Sequence, residues 1–219
     1  MKQIERIDTV KEYNKYAGVD TPHPLVNVIN FDDVAPIRHF KRMMGVYAIF
    51  LKDVKCGDIT YGCKPYDYED GTLVFVAPGQ VYGIDSKGKA IKPSGYGLIF
   101  HTDLIAGTHL GTHIKDYSFF LYEANEALHL SKKERVTIVD CLKKISSEIE
   151  QNMDHHSKTL IVSNIELFLN YCMRFYERQF ITRSKVNGDI LARFENLLNG
   201  YFQSDKPQTI GLPSVAYCS

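Results

Sequence analysis

The sequence predicts an α+β protein in which a β-rich barrel or sandwich is followed by a helical segment. Between residues 31 and 100, short runs of β-branched and aromatic residues alternate with Gly, Pro and Asp, which is typical of strands joined by tight turns. After residue 130, the apolar residues recur with the period of a helix. At 219 residues the chain is long enough for one large domain or two small ones.

Four strand-like segments stand out in the first half of the chain. They are GVYAIFLK at 45–52, DITYGCK at 58–64, GTLVFVAPG at 71–79 and GYGLIFH at 95–101. Short strands at this spacing favour a sandwich or a barrel. Because residues alternate between the two faces of a strand, Tyr47 and Phe50 lie on opposite sides of the first segment. The pattern leaves open which side faces inward.

An amphipathic helix is predicted over residues 131–151. Ser131 and Glu134 form a capping box, in which each side chain accepts a hydrogen bond from a backbone N–H of the first turn. One apolar stripe follows, and it comprises Ile138, Leu142, Ile145 and Ile149. This spacing places all four on a single helix face.

Two further helices are predicted over residues 157–180 and 187–198, with Gly200 as the C-terminal stop of the second. The first of them is apolar over a wide arc, because a second stripe of Leu160, Leu167 and Tyr171 is displaced around its axis from the main one. Either a second copy of the chain or burial within one domain would explain the width. The main stripe is predicted to mediate dimerisation, and it comprises Ile161, Ile165, Phe168, Cys172 and Phe175.

The composition is that of a soluble protein without a basic surface. Lys plus Arg and Asp plus Glu number 26 each, whereas a domain that binds a phosphate backbone usually carries a basic excess. The five cysteines include no C-x-x-C pair, which argues against a disulfide framework and a thiolate zinc site. The start of the chain is charged and no long apolar run is present, so we expect a cytoplasmic protein without a membrane partner.

Three segments resemble the AraC family of bacterial transcription regulators. They are DYEDGTLVFVAPGQVYGI at 67–84, GYGLIFHTDLI at 95–105 and PQTIGLPSVAYCS at 207–219. The first is similar to the second cupin hairpin of that family, the second to the strand and short helix that end its barrel, and the third to its first DNA-binding helix. The resemblance implies a cupin-like β-barrel (a double-stranded β-helix) that binds a small organic effector, helices that form a homodimer, and a helix-turn-helix domain that reads DNA.

The resemblance also implies a division of the chain into four segments. These are an N-terminal arm at 1–24, a cupin-like effector-binding barrel at 25–130, a helical dimerisation segment at 131–202, and a linker with the start of a helix-turn-helix domain at 203–219. The last helix would stop about two turns after Pro213, and a helix that short is not stable alone. We therefore expect a regulator truncated inside its DNA-binding domain, with DNA contacts made through the missing part. A flexible end of a complete protein is the alternative.

No metal site, cofactor or catalytic residue is predicted. Enzymatic cupins bind a divalent metal through several His and a Glu, but Tyr82 stands where the resemblance places a metal-binding His, and the hairpin at 57–71 contains no His. His109 and His113 have a spacing seen in zinc sites, but Gly111 lies between them and no Glu follows His109. Two surface histidines are the preferred interpretation. A cupin-type metal-dependent enzyme or isomerase remains the alternative function.

The candidate ligand site is built on tyrosines of the β-rich half. A tyrosine offers a flat apolar ring and a hydroxyl, which suits a sugar or an aromatic metabolite in a mostly apolar pocket. The predicted ligand-binding residues are His39, Tyr47, Tyr61, Tyr66 and Tyr82. For each tyrosine, packing between the sheets is the alternative. Arg38 is expected to be exposed.

Overall fold

The computed structural model describes residues 4–38, 40–53, 58–61, 64–66, 71–86, 88–120 and 127–202. The predicted α+β class is confirmed, because strands dominate the first half and two long helices follow residue 131. The chain divides into two compact units, Met1–Phe175 and Tyr176–Ser219. Both sheets, and the cavity between them, belong to the first unit.

Ten strands lie within the described residues. They are β1 (Glu5–Ile7), β2 (Val26–Asn30), β3 (Phe40–Met44), β4 (Tyr47–Lys52), β5 (Asp58–Tyr61), β6 (Lys64–Tyr66), β7 (Thr72–Val76), β8 (Val81–Asp85), β9 (Gly95–Phe100) and β10 (Leu128–His129). The strand predictions at 45–52, 71–79 and 95–101 are confirmed as β4, β7 and β9. The prediction at 58–64 covers β5 and the first residue of β6.

The strands form two five-stranded sheets, in the orders β1-β3-β8-β5-β6 and β10-β7-β4-β9-β2. Four antiparallel pairs are nested along the chain, namely β5 with β6, β4 with β7, β3 with β8 and β2 with β9. From β2 to β5, and again from β6 to β9, successive strands alternate between the sheets. Within the described residues the two sheets stay separate and do not close into one barrel.

The two sheets enclose a common apolar core. Ala48 and Phe50 of β4 share one buried cluster with Met44 of β3 and with Tyr82 and Ile84 of β8. The other side of β4 is also buried, since Ile49 and Leu51 are at most 1 % exposed. A strand covered on both faces is apolar at nearly every position, which explains the unbroken run YAIFL in β4.

The N-terminal arm is part of this core. Helix α1 (Val10–Ala17) begins at a capping box, in which Thr9 accepts from the backbone N–H of Glu12 and Glu12 accepts from that of Thr9. It ends at Gly18, whose φ of 71° suits a residue without a side chain. Val10 is fully buried and Tyr13 is 8 % exposed, so α1 covers the sheets.

Helices α2 (Thr102–Ile105) and α3 (His109–His113) precede helix α4 (Lys132–Glu150), which packs on β2 and β9. The predicted helix at 131–151 is confirmed, and both hydrogen bonds of its capping box are present between Ser131 and Glu134. Its predicted apolar stripe is buried at every position, at Ile138, Leu142, Ile145 and Ile149.

The prediction of two separate helices over 157–180 and 187–198 is wrong. A single helix, α5 (Ser157–Phe202), covers 46 residues and includes Gly200. One glycine inside a helix costs about 1 kcal/mol relative to alanine, which is too little to end a helix by itself. The predicted linker at 203–219 lies outside the described residues. No described helix combines the length and the apolar character that a membrane crossing requires.

The five residues predicted to form the dimer contact are buried within a single copy of the chain, which leaves these side chains little surface for a second copy to cover. Ile161, Ile165, Phe168 and Cys172 are 0 % exposed and Phe175 is 9 % exposed. Hydrogen bonds tie this part of α5 to its own chain, since Tyr117 donates to Asn170 Oδ1 over 2.8 Å. The second stripe faces outward instead, with Leu160 and Leu167 exposed.

Candidate ligand-binding site

A cavity lies between the two sheets, with helix α1 forming part of its wall. The cavity volume is about 30 Å³, and the space reaches about 370 Å³ only when open solvent at its mouth is included. One water molecule needs about 10–15 Å³. The cavity as it stands therefore holds about two waters, and an organic ligand requires side chains to move.

Aromatic rings make up half of the cavity wall. They come from α1, from the turn after β2, and from β3, β4 and β8, and they are Tyr13, Tyr16, Phe31, Phe40, Phe50 and Tyr82. Phe50 is central among them, because its ring centroid lies 5.0 Å from that of Tyr82, 6.0 Å from that of Phe31 and 6.2 Å from that of Tyr13. Rings at these separations attract one another beyond simple burial, which holds the wall in place.

Lys52 brings a positive charge to this apolar wall. It follows Ala48 and Phe50 on the same face of β4 and is 3 % exposed. Its Nζ lies 5.4 Å from the ring centroid of Phe50 and 5.5 Å from that of Phe31, within the range of a cation–π contact. Lys52 makes at least one further contact in the structure. Among the described residues that line the cavity, it is the only one with a charged side chain.

Gly97 allows Phe31 to reach the cavity. Gly97 lies opposite Phe50 of β4 and Ile29 of β2 in the sheet register. A Cβ atom at position 97 would lie 2.8 Å from Phe31 Cζ, so a side chain there would displace the ring. The glycine is therefore required by the close approach of the ring to β9.

A second cation, Arg42 of β3, packs behind two rings of the wall. Its guanidinium carbon lies 3.5 Å from the ring centroid of Tyr16 and 5.2 Å from that of Phe40, and its Nε donates to Glu5 Oε2 over 2.6 Å. Its Nη1 atom is buried and has no hydrogen-bond partner among the described residues. Burial raises the pKa of Tyr13, and nearby Tyr16 adds to that rise, whereas the charge of Arg42 opposes it. The Tyr13 hydroxyl therefore stays protonated at neutral pH.

The predicted ligand-binding residues fall in three groups. Tyr82 lines the cavity. Tyr47 lies on the opposite side of β4, where its ring stacks on Phe100 at 5.0 Å and meets Phe120 at 4.9 Å, so it does not reach the cavity. His39 lies outside the described residues, and so do the side chains of Tyr61 and Tyr66. Arg38 is exposed, as expected.

His109 and His113 lie at the surface as two stacked rings whose centroids are 4.1 Å apart. His109 Nδ1 is 2.7 Å from Glu166 Oε1, which joins α3 to α5, and the His109 side chain is 71 % exposed. Within the described ranges, no three His, Cys, Asp or Glu side chains are grouped closely enough to bind a metal ion. His109 thus makes a surface contact between α3 and α5.

Sequence reasoning missed the contribution of α1 and of Lys52 to this site. The signal for α1 was present, because Thr9 and Glu12 have the spacing of a capping box and Gly18 has the place of a helix stop. Strand alternation likewise puts Lys52 on the same face as Phe50. Alternation alone does not tell which face of β4 points inward. The packing of the second sheet shows that the face with Phe50 and Lys52 does.

The chain matches no protein-family model, and no match is found among curated proteins.

Proposed function

We propose that this chain is the effector-sensing and dimerising part of a transcription regulator similar to the AraC family. A small organic molecule would bind in the cavity between the sheets. The molecule would bind one arrangement of the sheets and helices more tightly than another, and would shift the protein towards that arrangement. The shift would change how the two copies of a dimer present their DNA-binding parts.

The observation that carries the proposal is the nested order of strand pairs. Pairing of β2 with β9, β3 with β8, β4 with β7 and β5 with β6, with strands alternating between two sheets, is the order expected of a cupin-like double-stranded β-helix. An apolar cavity between its sheets is the usual place for a small ligand in such a fold. Two long helices after the β-rich half complete the order that the sequence resemblance implies.

The second candidate function is a cupin-type metal-dependent enzyme, and the cavity wall favours sensing over it. A metal in such a barrel needs a set of imidazole and carboxylate donors, whereas the described residues of this wall are aromatic or aliphatic apart from Lys52. Elemental analysis of the purified protein separates the two functions. Stoichiometric iron, manganese or zinc would favour the enzyme.

Dimerisation is assigned here to the second stripe of α5, formed by Leu160, Leu167 and Tyr171. Leu160 is 47 % exposed and Leu167 is 41 % exposed, and they lie seven residues apart on one face of the helix. Exposed leucines in a row on a helix are a surface that a second copy can cover. The chain as a whole carries no basic excess of the kind that a phosphate backbone attracts.

A reporter assay tests the dimerising part of the proposal. The chain is fused to a DNA-binding domain that recognises its operator only as a dimer, and repression is measured. We expect repression by the wild-type fusion and its loss in a Leu160→Glu, Leu167→Glu double variant. The matched control is Val136→Glu, because Val136 is 57 % exposed on α4, and it should repress normally. A wild-type fusion that represses no better than the DNA-binding domain alone contradicts the proposal.

A further inference from the structure

We propose that the free edge of strand β2 is a docking site for an extended basic segment of a partner protein. The segment would pair with β2 as an additional strand of its sheet, which is a recurring mode of peptide recognition. This surface is separate from the cavity of the proposed function. Three features meet there, namely an unpaired strand edge, a groove beside that edge and groove walls of a single charge.

Strand β2 is the last strand of its sheet, and one of its edges has no partner strand among the described residues. On its other edge, the Leu25 carbonyl accepts from the His101 N–H over 2.8 Å. The register then makes Asn27 and Ile29 the next residues whose backbone groups point to β9. The N–H and C=O of Val28 therefore point to the free edge, and no described residue forms a hydrogen bond with them.

A groove of about 290 Å³ lies along this edge, whereas the cavity between the sheets has only about 30 Å³. The groove is lined by residues 27–30 of β2, by the segment that follows α1 and by the last turns of α4. Because a strand rises about 3.4 Å per residue, the five residues of β2 offer an edge about 17 Å long. An extended segment of similar length can pair along it.

The charged side chains of the groove are all acidic. Asp20, Asp33 and Glu150 are exposed, and no lysine, arginine or histidine is among the described residues that line the groove. None of the three carboxylates forms a salt bridge within the described part of the chain. Helix α4 also ends here without a basic residue in its last turn, so the negative end of its dipole adds to the same field. Lysine or arginine side chains of a docked segment would complement this field.

The two walls of the groove each carry a carboxylate. Asp20 lies in the segment that follows α1, and Glu150 lies at the end of α4. Neighbouring side chains of a strand point to opposite faces of its sheet, so two successive basic residues of a docked segment would each meet one of these carboxylates. The neighbouring cation Lys92 is engaged elsewhere, because its Nζ donates to the carbonyls of Asp32 and Val34 over 2.7 Å.

Binding is measured on the full 219-residue chain by fluorescence anisotropy, with the labelled peptide TKVRVKT as the probe. The peptide TEVEVET reverses its charge, and TKPRPKT keeps its charge but lacks two backbone N–H groups and pairs poorly as a strand. We expect the probe to bind at least about ten-fold more tightly than either of these. Equal binding of TKVRVKT and TKPRPKT would show charge attraction without strand pairing. No binding of the probe at millimolar concentration would show that the carboxylates only protect the edge. Either result overturns the proposal.

Variants place the binding site. The double variant Asp20→Asn, Glu150→Gln should weaken probe binding about five-fold or more, because it removes the carboxylate of each wall. The matched control Asp116→Asn, Glu177→Gln removes two exposed carboxylates that do not line the groove, and it should bind the probe like the wild type. All four side chains are exposed, so both variants should give the circular dichroism spectrum of the wild type. Equal weakening by the two variants contradicts the assignment.

Sedimentation velocity of the same proteins without peptide tests a second copy of the chain as the occupant of the groove. We expect both double variants to keep the oligomeric state of the wild type. A wild-type dimer that dissociates in the Asp20→Asn, Glu150→Gln variant but not in the control would assign the edge to a second copy and overturn the proposal. Leu160 and Leu167 do not line the groove, so a failure of the reporter assay refutes the dimerising function and leaves this docking site standing.

Discussion

Replacement of Phe168 by alanine tests whether the main stripe of α5 belongs to the core of one chain or to a contact between two chains. Phe168 is 0 % exposed in a single copy. Truncation of a fully buried phenylalanine costs about 3–5 kcal/mol, because apolar contacts are lost and a cavity remains. For a chain of this length, that loss lowers the unfolding temperature by about 6–20 °C.

The matched control is an exposed apolar residue of helix α4, outside the proposed dimer contact. Val136 is 57 % exposed, and substitutions at exposed positions change stability by about 0.5 kcal/mol or less. Both variants keep the helix propensity of their helices high, since alanine is the best helix former. The comparison therefore isolates burial as the cause.

Unfolding is followed by far-ultraviolet circular dichroism at several protein concentrations, and the oligomeric state by sedimentation velocity. We expect Phe168→Ala to lower the unfolding midpoint at every concentration, and Val136→Ala to leave it nearly unchanged. A Phe168→Ala protein that unfolds within 1 °C of the wild type but dissociates from dimer to monomer would refute the burial argument. It would restore this stripe as the interface.

Two further predictions concern the segment between β9 and α4. A Cβ atom at Gly111 would clash with the Ile105 carbonyl oxygen, so Gly111→Ala should lower the free energy of unfolding by about 1–3 kcal/mol. Thr112→Ala in the same short helix should change it far less, and equal urea midpoints for the two variants would contradict this. Burial, followed by the nearby Glu166, Cys172 and Asp116, raises the pKa of Tyr117 to about 12. The stability that the protonated Tyr117 hydroxyl contributes is therefore fully present below the unfolded pKa of about 10, and it is lost as pH rises towards the folded pKa. The wild type and the Tyr117→Phe variant are titrated by absorbance at 295 nm, and the second curve is subtracted from the first. The difference should show this high pKa, and a difference curve centred at the ordinary tyrosine pKa would exclude it.

Local pattern was sufficient for the elements whose stability is local. The capping box at Ser131 and the stripe of α4 are set by neighbours three and four residues apart, so the sequence predicts that helix to within a residue of its ends. The strands β4, β7 and β9 were predictable for a similar reason, because turn residues bound each of them. The second capping box, at Thr9, carries an equally clear signal for α1.

The tertiary structure decided which face of each element is inside. Tyr47 and Phe50 alternate along β4 with nothing in the strand to rank them, and only the second sheet places Phe50, with Lys52, in the cavity wall. The same ambiguity affected α5, where two apolar stripes compete and only the packing of the chain buries Phe168 and leaves Leu167 exposed. Periodicity in a sequence gives the spacing of side chains along one element, but burial depends on the neighbours that long-range contacts bring to it.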